Sequence, residues 1–275
     1  MFNNQQATTF TILNYNMNAF KTIKFSITRH IATLCLARHE KRNAINEQMA
    51  AELLQALEVV TTDDNIDMLI LKGEGSSFCA GADLVWMNSD DLPEKSRPSF
   101  LLPQLFKKLF YLPKPLIVMV NGAAMGGALG LIAAADFVLA ADDARFAFSE
   151  VRLGLVPATI SPYVVKRIGE YNARRLMLRG NTIGAKEVLK SGLADVVVPF
   201  SELEAEAEGL CRELEQNGPE AMRISKKLIQ HVSEHVIDDE LIAHTAAILE
   251  KVRISSEAKE GIAAYREKRK AIWRR

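Results

Sequence analysis

The sequence predicts an α/β fold built on a parallel sheet and followed by an all-helical C-terminal block. Three observations carry this. Short apolar runs without a polar side, Leu116 to Val120 being the clearest, are what a strand buried on both faces requires. Helical patterns alternate with such runs as far as Val198, as right-handed strand–helix–strand crossovers demand. Beyond that point Ser201 to Gln216, Pro219 to His231, Asp238 to Glu250 and Ser255 to Trp273 all read as helices.

Residues 1–16, rich in Asn and Gln and free of Lys and Arg, read as a flexible N-terminal tail, with Met17 an alternative first residue. Alternation from Ile23 to Leu36 around Arg29-His30 predicts a β-hairpin. Asn46 then caps a helix whose apolar face is Met49, Leu53, Ala56, Leu57 and Val60. Met68 to Leu71 is a short strand. The small-residue stretch from Gly73 to Asp83 reads as a loop, and Asp90 to Pro98 as a mobile surface segment. A helix from Pro98 to Tyr111 stops at Pro113-Lys114-Pro115. After the Leu116 strand, Asn121-Gly122 opens a loop, Gly126-Gly127 starts a helix to Ala135, and Phe137 to Ala140 is again a strand. In the C-terminal block Leu241, Ala247, Ile248 and Val252 form an apolar face that must dock on the core or on another subunit.

Composition narrows the function classes. The 275 residues carry 34 Lys+Arg and 34 Asp+Glu, a formal net charge of zero, with 48% hydrophobic residues. A protein gathering nucleic acid through bulk charge would be basic, and a disordered chain would be far less apolar. No run is long and apolar enough for a membrane helix, so neither nucleic acid nor membrane is an expected partner. Cys35, Cys79 and Cys211 are widely spaced and odd in number, which fits reduced thiols in a cytoplasmic protein. His231 and His235 stand one helical turn apart, but without HExxH they read as a surface pair, and no metal is expected. Cys79 reads as a small packing residue with no base beside it.

Two segments place small residues where a strand gives way to a helix: Phe78 to Asp83, and Gly122 to Gly130. Unpaired N–H groups at such junctions can donate to an anion, and two converging loops can hold one oxyanion. The glycines do not form GxGxxG, and no Gly-Lys-Ser/Thr follows, which removes dinucleotide and P-loop readings.

LKGEGSSFCAGADL, then KPLIVMVNGAAMGGALGLIAAAD, then FAFSEVRLGLVP resemble the enoyl-CoA hydratase/isomerase (crotonase) superfamily in order and spacing. HEKRNAIN at His39 to Asn46 and AKEVLKSGLADVVVP at Ala185 to Pro199 extend the resemblance. It implies a crotonase-like ββα superhelix over 17–200 and a C-terminal helical region, 201–275, that forms trimers or dimers of trimers. It also implies acyl-CoA as substrate, so that coenzyme A enters with the substrate and no separate cofactor is expected.

Matched residue by residue, the oxyanion donors are the backbone amides of Ala82 and Gly127. The first of the two usual hydratase glutamates falls on Gly130, and only the second is kept, as Glu150. The resemblance places Lys41, Arg42 and Ala44, then Ala80, Asp83, Leu84, Trp86 and Gly126, along the CoA and acyl path. Trp86 and Met87 wall the acyl site or pack in the core. Thr159 and Ser161 fit two roles equally, lining the acyl pocket or capping the helix near Pro162. Arg152 is the nearest cation to Glu150, although a side chain two residues on can face away. The basic run Lys268, Arg269, Lys270, Arg274 and Arg275 is a solvated face or serves a neighbouring subunit.

The leading expectation is a hydratase adding water to an enoyl-CoA. Gly-Gly-Ala-Leu-Gly followed by SEVRLGLVPATISPYV is similar to bacterial methylglutaconyl-CoA and isohexenylglutaconyl-CoA hydratases of leucine and acyclic-terpene breakdown. An isomerase, decarboxylase or thioester hydrolase on the same scaffold, and a non-catalytic acyl-CoA binder or RNA-associated scaffold, are the alternatives.

Overall fold

β1 (Ile23–Thr28) pairs antiparallel with β2 (Ile31–Leu36), and Arg29 takes a left-handed φ of 56° in the turn between them. The computed structural model describes residues 20–89 and 91–273. The tail assigned to 1–16, Met17, and Arg274 and Arg275 lie outside the described residues. α1 (Glu47–Thr62) begins where the Asn46 side chain accepts the Met49 N–H at 2.9 Å, and it buries the apolar face read from its spacing.

β3 (Met68–Gly73), β4 (Ser77–Cys79), α2 (Leu84–Met87) and α3 (Pro98–Phe110) follow. Then come β5 (Leu116–Val120), β6 (Ala123–Met125), α4 (Ala128–Ala133), β7 (Phe137–Ala141) and β8 (Arg145–Ala147). α5 (Ser161–Arg179), β9 (Ile183–Gly184), α6 (Ala185–Ser191) and β10 (Val196–Val198) complete the core. The C-terminal block is α7 (Leu203–Leu214), α8 (Pro219–Val232), α9 (Asp239–Arg253) and α10 (Ser256–Arg266).

Six strands form one sheet in the order β1-β2-β3-β5-β7-β10, parallel from β2 onward. Its inner strands β5 and β7 lack a polar side because both faces are covered. Leu69, Leu71, Val118, Val120, Val138 and Ala140 belong to the main core, whereas Met68, Ile117, Met119 and Leu139 pack with Leu203, Ala207, Cys211 and Leu214 of α7.

A second sheet, in the order β4-β6-β8-β9, corrects the loop reading of 73–83 and of 121–127. β4, β6 and β8 are three residues each, too short for an alternation to register. Of the segment before α3 expected to be mobile, Asp90 lies outside the described residues, and two hydrogen bonds hold the part from Leu92 to Arg97. The Ser96 carbonyl accepts the Trp86 indole N–H, and the Leu92 carbonyl accepts Arg97 Nε–H, both at 2.9 Å.

α8 is anchored by Lys226, whose Nζ donates to the Asp136 carboxylate at 2.6 Å and to the Lys114 carbonyl at 3.0 Å. Of the apolar face expected on α9, Leu241 is buried, Ile248 and Val252 are half-buried and Ala247 is exposed. Ile242, Leu249, Ile254, Ile262 and Tyr265 are also exposed on α9, α10 and the link between them. Arg269 of the basic run is engaged by the Glu260 and Glu267 carboxylates, each at 2.6 Å.

Candidate active site

Because β4, β6 and β8 lie side by side and parallel, the residues that follow them emerge at one edge of the small sheet. These are Gly81 and Ala82 after β4, Gly126 and Gly127 after β6, and Ser149 and Glu150 after β8. The carboxyl ends of parallel strands are where α/β folds place ligands.

Gly81 adopts a φ of 92°, in the region that favours glycine. A Cβ placed on it would lie 3.3 Å from the Gly127 nitrogen, and one on Gly127 would lie 3.6 Å from the Ala82 nitrogen, so the two amides are neighbours. Among the described residues neither N–H donates to a protein acceptor. Two unpaired donors this close can share one developing oxyanion.

Glu150 opens a 3-10 turn at Glu150–Leu153. Its Oε2 is buried with no hydrogen-bond partner among the described residues, and its Oε1 lies 3.5 Å from the point a Gly126 Cβ would occupy. Burial pushes its carboxyl above the ordinary carboxylate range. Gly130 is walled in. A Cβ there would sit 2.5 Å from the Ile160 Cγ2 methyl and 2.8 Å from the Phe106 ring, so that position has no carboxylate, and any side chain there would have to displace these two.

The sequence profile of the family described as Enoyl-CoA hydratase/isomerase matches residues 26–275. The chain belongs to the enoyl-CoA hydratase/isomerase family. It is 34% identical over 244 residues, covering 87% of itself and 96% of the relative, to a Thermus thermophilus protein named provisionally as an enoyl-CoA hydratase. It is 29% identical over 260 residues, 91% of itself and 97% of the relative, to the trans-2-decenoyl-[acyl-carrier-protein] isomerase of Streptococcus mutans. The crystal structure of an enoyl-CoA hydratase from Shewanella pealeana superposes with a TM-score of 0.88 at 35% identity, covering 94% of this chain and 97% of that one. The fold is accordingly crotonase-like.

The loop that this family resemblance assigns to CoA is stitched to the oxyanion loop. Ala80 N–H donates to the Arg42 carbonyl at 2.9 Å, Ile45 N–H to the Gly81 carbonyl at 2.8 Å, and Asp83 N–H to the Ile45 carbonyl at 2.8 Å. Lys41 and Arg42 are exposed on its outside, and Ala44 and Ala80 are half-buried. Asp83, expected beside CoA, is engaged within the protein. One oxygen accepts the Val85 N–H that opens α2, and the other pairs with Arg38 at 3.1 Å. Leu84 is exposed, whereas Trp86 is buried in the core, which favours the packing role. Ser161 donates to the Ala158 carbonyl at 3.0 Å and does not cap α5, and Thr159 is half-buried. Arg152 is exposed, with its Cγ 3.3 Å from the point a Gly180 Cβ would take.

Sequence reasoning missed Asn43. It is fully buried at a left-handed φ of 57°, its Nδ2 donates to the carbonyls of Glu74 and Ser77 at 2.9 Å, and its Oδ1 accepts the Arg38 N–H at 3.0 Å. An Asn between two charged residues and an apolar pair was a legible signal, since Asn tolerates this conformation and supplies both donor and acceptor. Asn43→Ala strands several buried polar groups and should cost about 3 kcal/mol of stability. Denaturant unfolding checks this, and a loss under about 1 kcal/mol would contradict it.

Burial pushes the Cys79 thiol up to about 12, in keeping with a packing residue. His231 stacks between His235 and His244, and among the described residues no group of three or more His, Cys, Asp or Glu is placed to hold a metal ion. No helix among the described residues is long and apolar enough to cross a membrane. A cavity of about 890 Å³ between α5 and α8, lined by Tyr163, Lys166, Lys226 and Ile229, includes none of the residues at the strand ends.

Proposed function

We propose that this family member adds water across the 2,3 double bond of an enoyl-CoA thioester, with Glu150 as its acid/base carboxylate. The proposed acyl group is branched or dicarboxylic, such as 3-methylglutaconyl. The observation that carries the reading is the half-buried Glu150 carboxylate, whose Oε2 is buried and unpartnered among the described residues, at the same strand ends as two unpaired amides.

The thioester oxygen would sit against the Ala82 and Gly127 N–H groups. Glu150 takes a proton from water as the water oxygen bonds to C3, and the C2=C3 electron pair moves into the enolate that the amides stabilise. Protonated Glu150 then delivers that proton to C2. One water is consumed, the carboxylate is regenerated, and a single group serving both transfers adds H and OH to the same face. The likeness of SEVRLGLVPATISPYV to methylglutaconyl-CoA and isohexenylglutaconyl-CoA hydratases supports the acyl class.

Because the ionised carboxylate starts the reaction and burial raises its pKa, kcat/KM should fall on the acid side at a pH above the ordinary carboxylate range. Lower pH protonates Glu150, and a protonated carboxyl cannot accept the proton of water. A pH–rate profile locates this limb, and an acid limb in the range of exposed carboxylates would contradict the assignment.

Isomerisation is the second reading, favoured by the closed wall at Gly130, since moving a proton between carbons needs one carboxylate and no water. The test is to offer purified protein linear, branched and dicarboxylic 2-enoyl-CoAs, and the matching 3-enoyl-CoAs, and to follow conjugated-enoyl absorbance together with the mass of the product, which rises by one water only on hydration. Branched dicarboxylic thioesters should be consumed fastest. No hydration of any substrate would sink the hydratase reading, and conversion of 3-enoyl-CoAs alone would select the isomerase.

The exposed apolar residues of α9 and α10 support self-association as a trimer or dimer of trimers. Sedimentation would show a monomer if that is wrong. The free cysteines support action in the cytoplasm.

A further inference from the structure

We infer that Ser149 is a positioning residue that holds the attacking water against Glu150, in the role that Gly130 leaves without a carboxylate. The inference rests on the hydratase reading. A water that attacks C3 must keep a lone pair aimed at the carbon, so both of its hydrogens need acceptors. Glu150 accepts one of them.

The second acceptor cannot stand at position 130, where the Phe106 ring and the Ile160 methyl fill the space in front of the backbone. A polar side chain on the Glu150 side of the strand ends can supply it. The Ser149 Oγ lies 3.7 Å from the point a Gly126 Cβ would occupy, and Glu150 Oε1 lies 3.5 Å from the same point. Both oxygens therefore approach the same patch of backbone, one residue before the Gly127 amide.

Consecutive residues of a strand point to opposite faces, which would send these two side chains apart. Here the chain has already left β8. Ser149, with φ −82° and ψ −4°, precedes the 3-10 turn, and that bend lets neighbouring side chains share a side. Serine before a helical turn ordinarily spends its oxygen on a backbone N–H, but this hydroxyl makes no capping hydrogen bond. Its oxygen is left to accept from water, and the residue is half-buried, so a held water is partly shielded from bulk solvent.

In the step the water donates one hydrogen to Glu150 and the other to Ser149 Oγ. The first transfers to Glu150 as the C3–O bond forms, and the second stays on the new C3 hydroxyl. Ser149 neither gains nor loses a proton. Isomerisation, which uses no water, does not need it.

The experiment compares wild type, Ser149→Ala and Ser149→Thr in hydration of a 2-enoyl-CoA and in deuterium exchange at C2 of an acyl-CoA, which needs Glu150 and the amides but no attacking water. Ser149→Ala should lower the kcat of hydration on the order of ten- to a hundredfold, with KM and C2 exchange within about twofold. Ser149→Thr, which keeps the hydroxyl, should restore most of the rate. Hydration by Ser149→Ala within about twofold of an active wild type would overturn the inference while leaving the hydratase reading intact. Equal loss of hydration and exchange, or failure of threonine to rescue, would reduce Ser149 to a structural role and overturn it as well. A wild type that hydrates nothing would instead sink the hydratase reading itself, and the inference with it.

Discussion

Glu150→Gln lowers kcat on the order of 10²- to 10⁴-fold while the dissociation constant for a CoA thioester stays within about twofold. Glutamine has the same shape and keeps one oxygen, but it cannot accept the proton of water or carry it to C2. The substitution should not destabilise the fold. A carboxyl whose folded pKa is raised by burial binds its proton more tightly in the native state, so its contribution to stability falls as pH rises through that folded value. Above that folded value the native protein carries an ionised group that folding disfavours, and a neutral amide removes that cost. The melting temperature of Glu150→Gln should match or exceed that of the wild type. Steady-state kinetics beside a melting curve separate the two effects, and a variant retaining near-normal turnover would assign the base elsewhere.

Gly81→Ala is expected to lower kcat on the order of 10²- to 10³-fold, as loss of an oxyanion donor does. Gly81 has a φ of 92°, and a methyl placed there would sit 2.6 Å from the Met125 carbonyl oxygen and 3.3 Å from the Gly127 nitrogen. Both are backbone atoms, so no side-chain rotation relieves the contact, and one of the two loops must move. Either movement separates the Ala82 amide from the Gly127 amide. The loops are also fastened through Ile45 and Asp83, so the displacement reaches the 39–46 loop as well. Activity within about threefold of wild type would mean that the two amides do not act as a pair.

Much of this architecture was legible in the residues. The Leu116 to Val120 strand stands where its apolar run placed it, and the C-terminal block is helical as its periodicity required. The small sheet was hidden for a physical reason. Ser77–Cys79, Ala123–Met125 and Arg145–Ala147 are too short for alternation to register, and small residues between glycines look like loop whether or not their backbones pair. That sheet nevertheless gathers the site.

Gly130 was readable as a missing carboxylate, yet Phe106 of α3 and Ile160 ahead of α5, which fill its place, come from distant segments that no local pattern connects. Asn43 went unnoticed beside Lys41 and Arg42 because charge draws attention to anion binding, whereas its work is to satisfy buried carbonyls. The role of Arg269 was equally out of reach, since its partner Glu260 lies on α10 and meets it only once the chain turns back.

The central claim is that one carboxylate, Glu150, both takes the proton of water and returns it to C2. The most direct measurement is the stereochemistry of hydration in deuterium oxide, read by NMR on the 3-hydroxyacyl product. Deuterium at C2 should enter from the same face as the new hydroxyl, and Glu150→Gln should form the labelled product on the order of 10²- to 10⁴-fold more slowly. Deuterium entering from the opposite face would require a second acid/base group across the substrate and would contradict the single-carboxylate site.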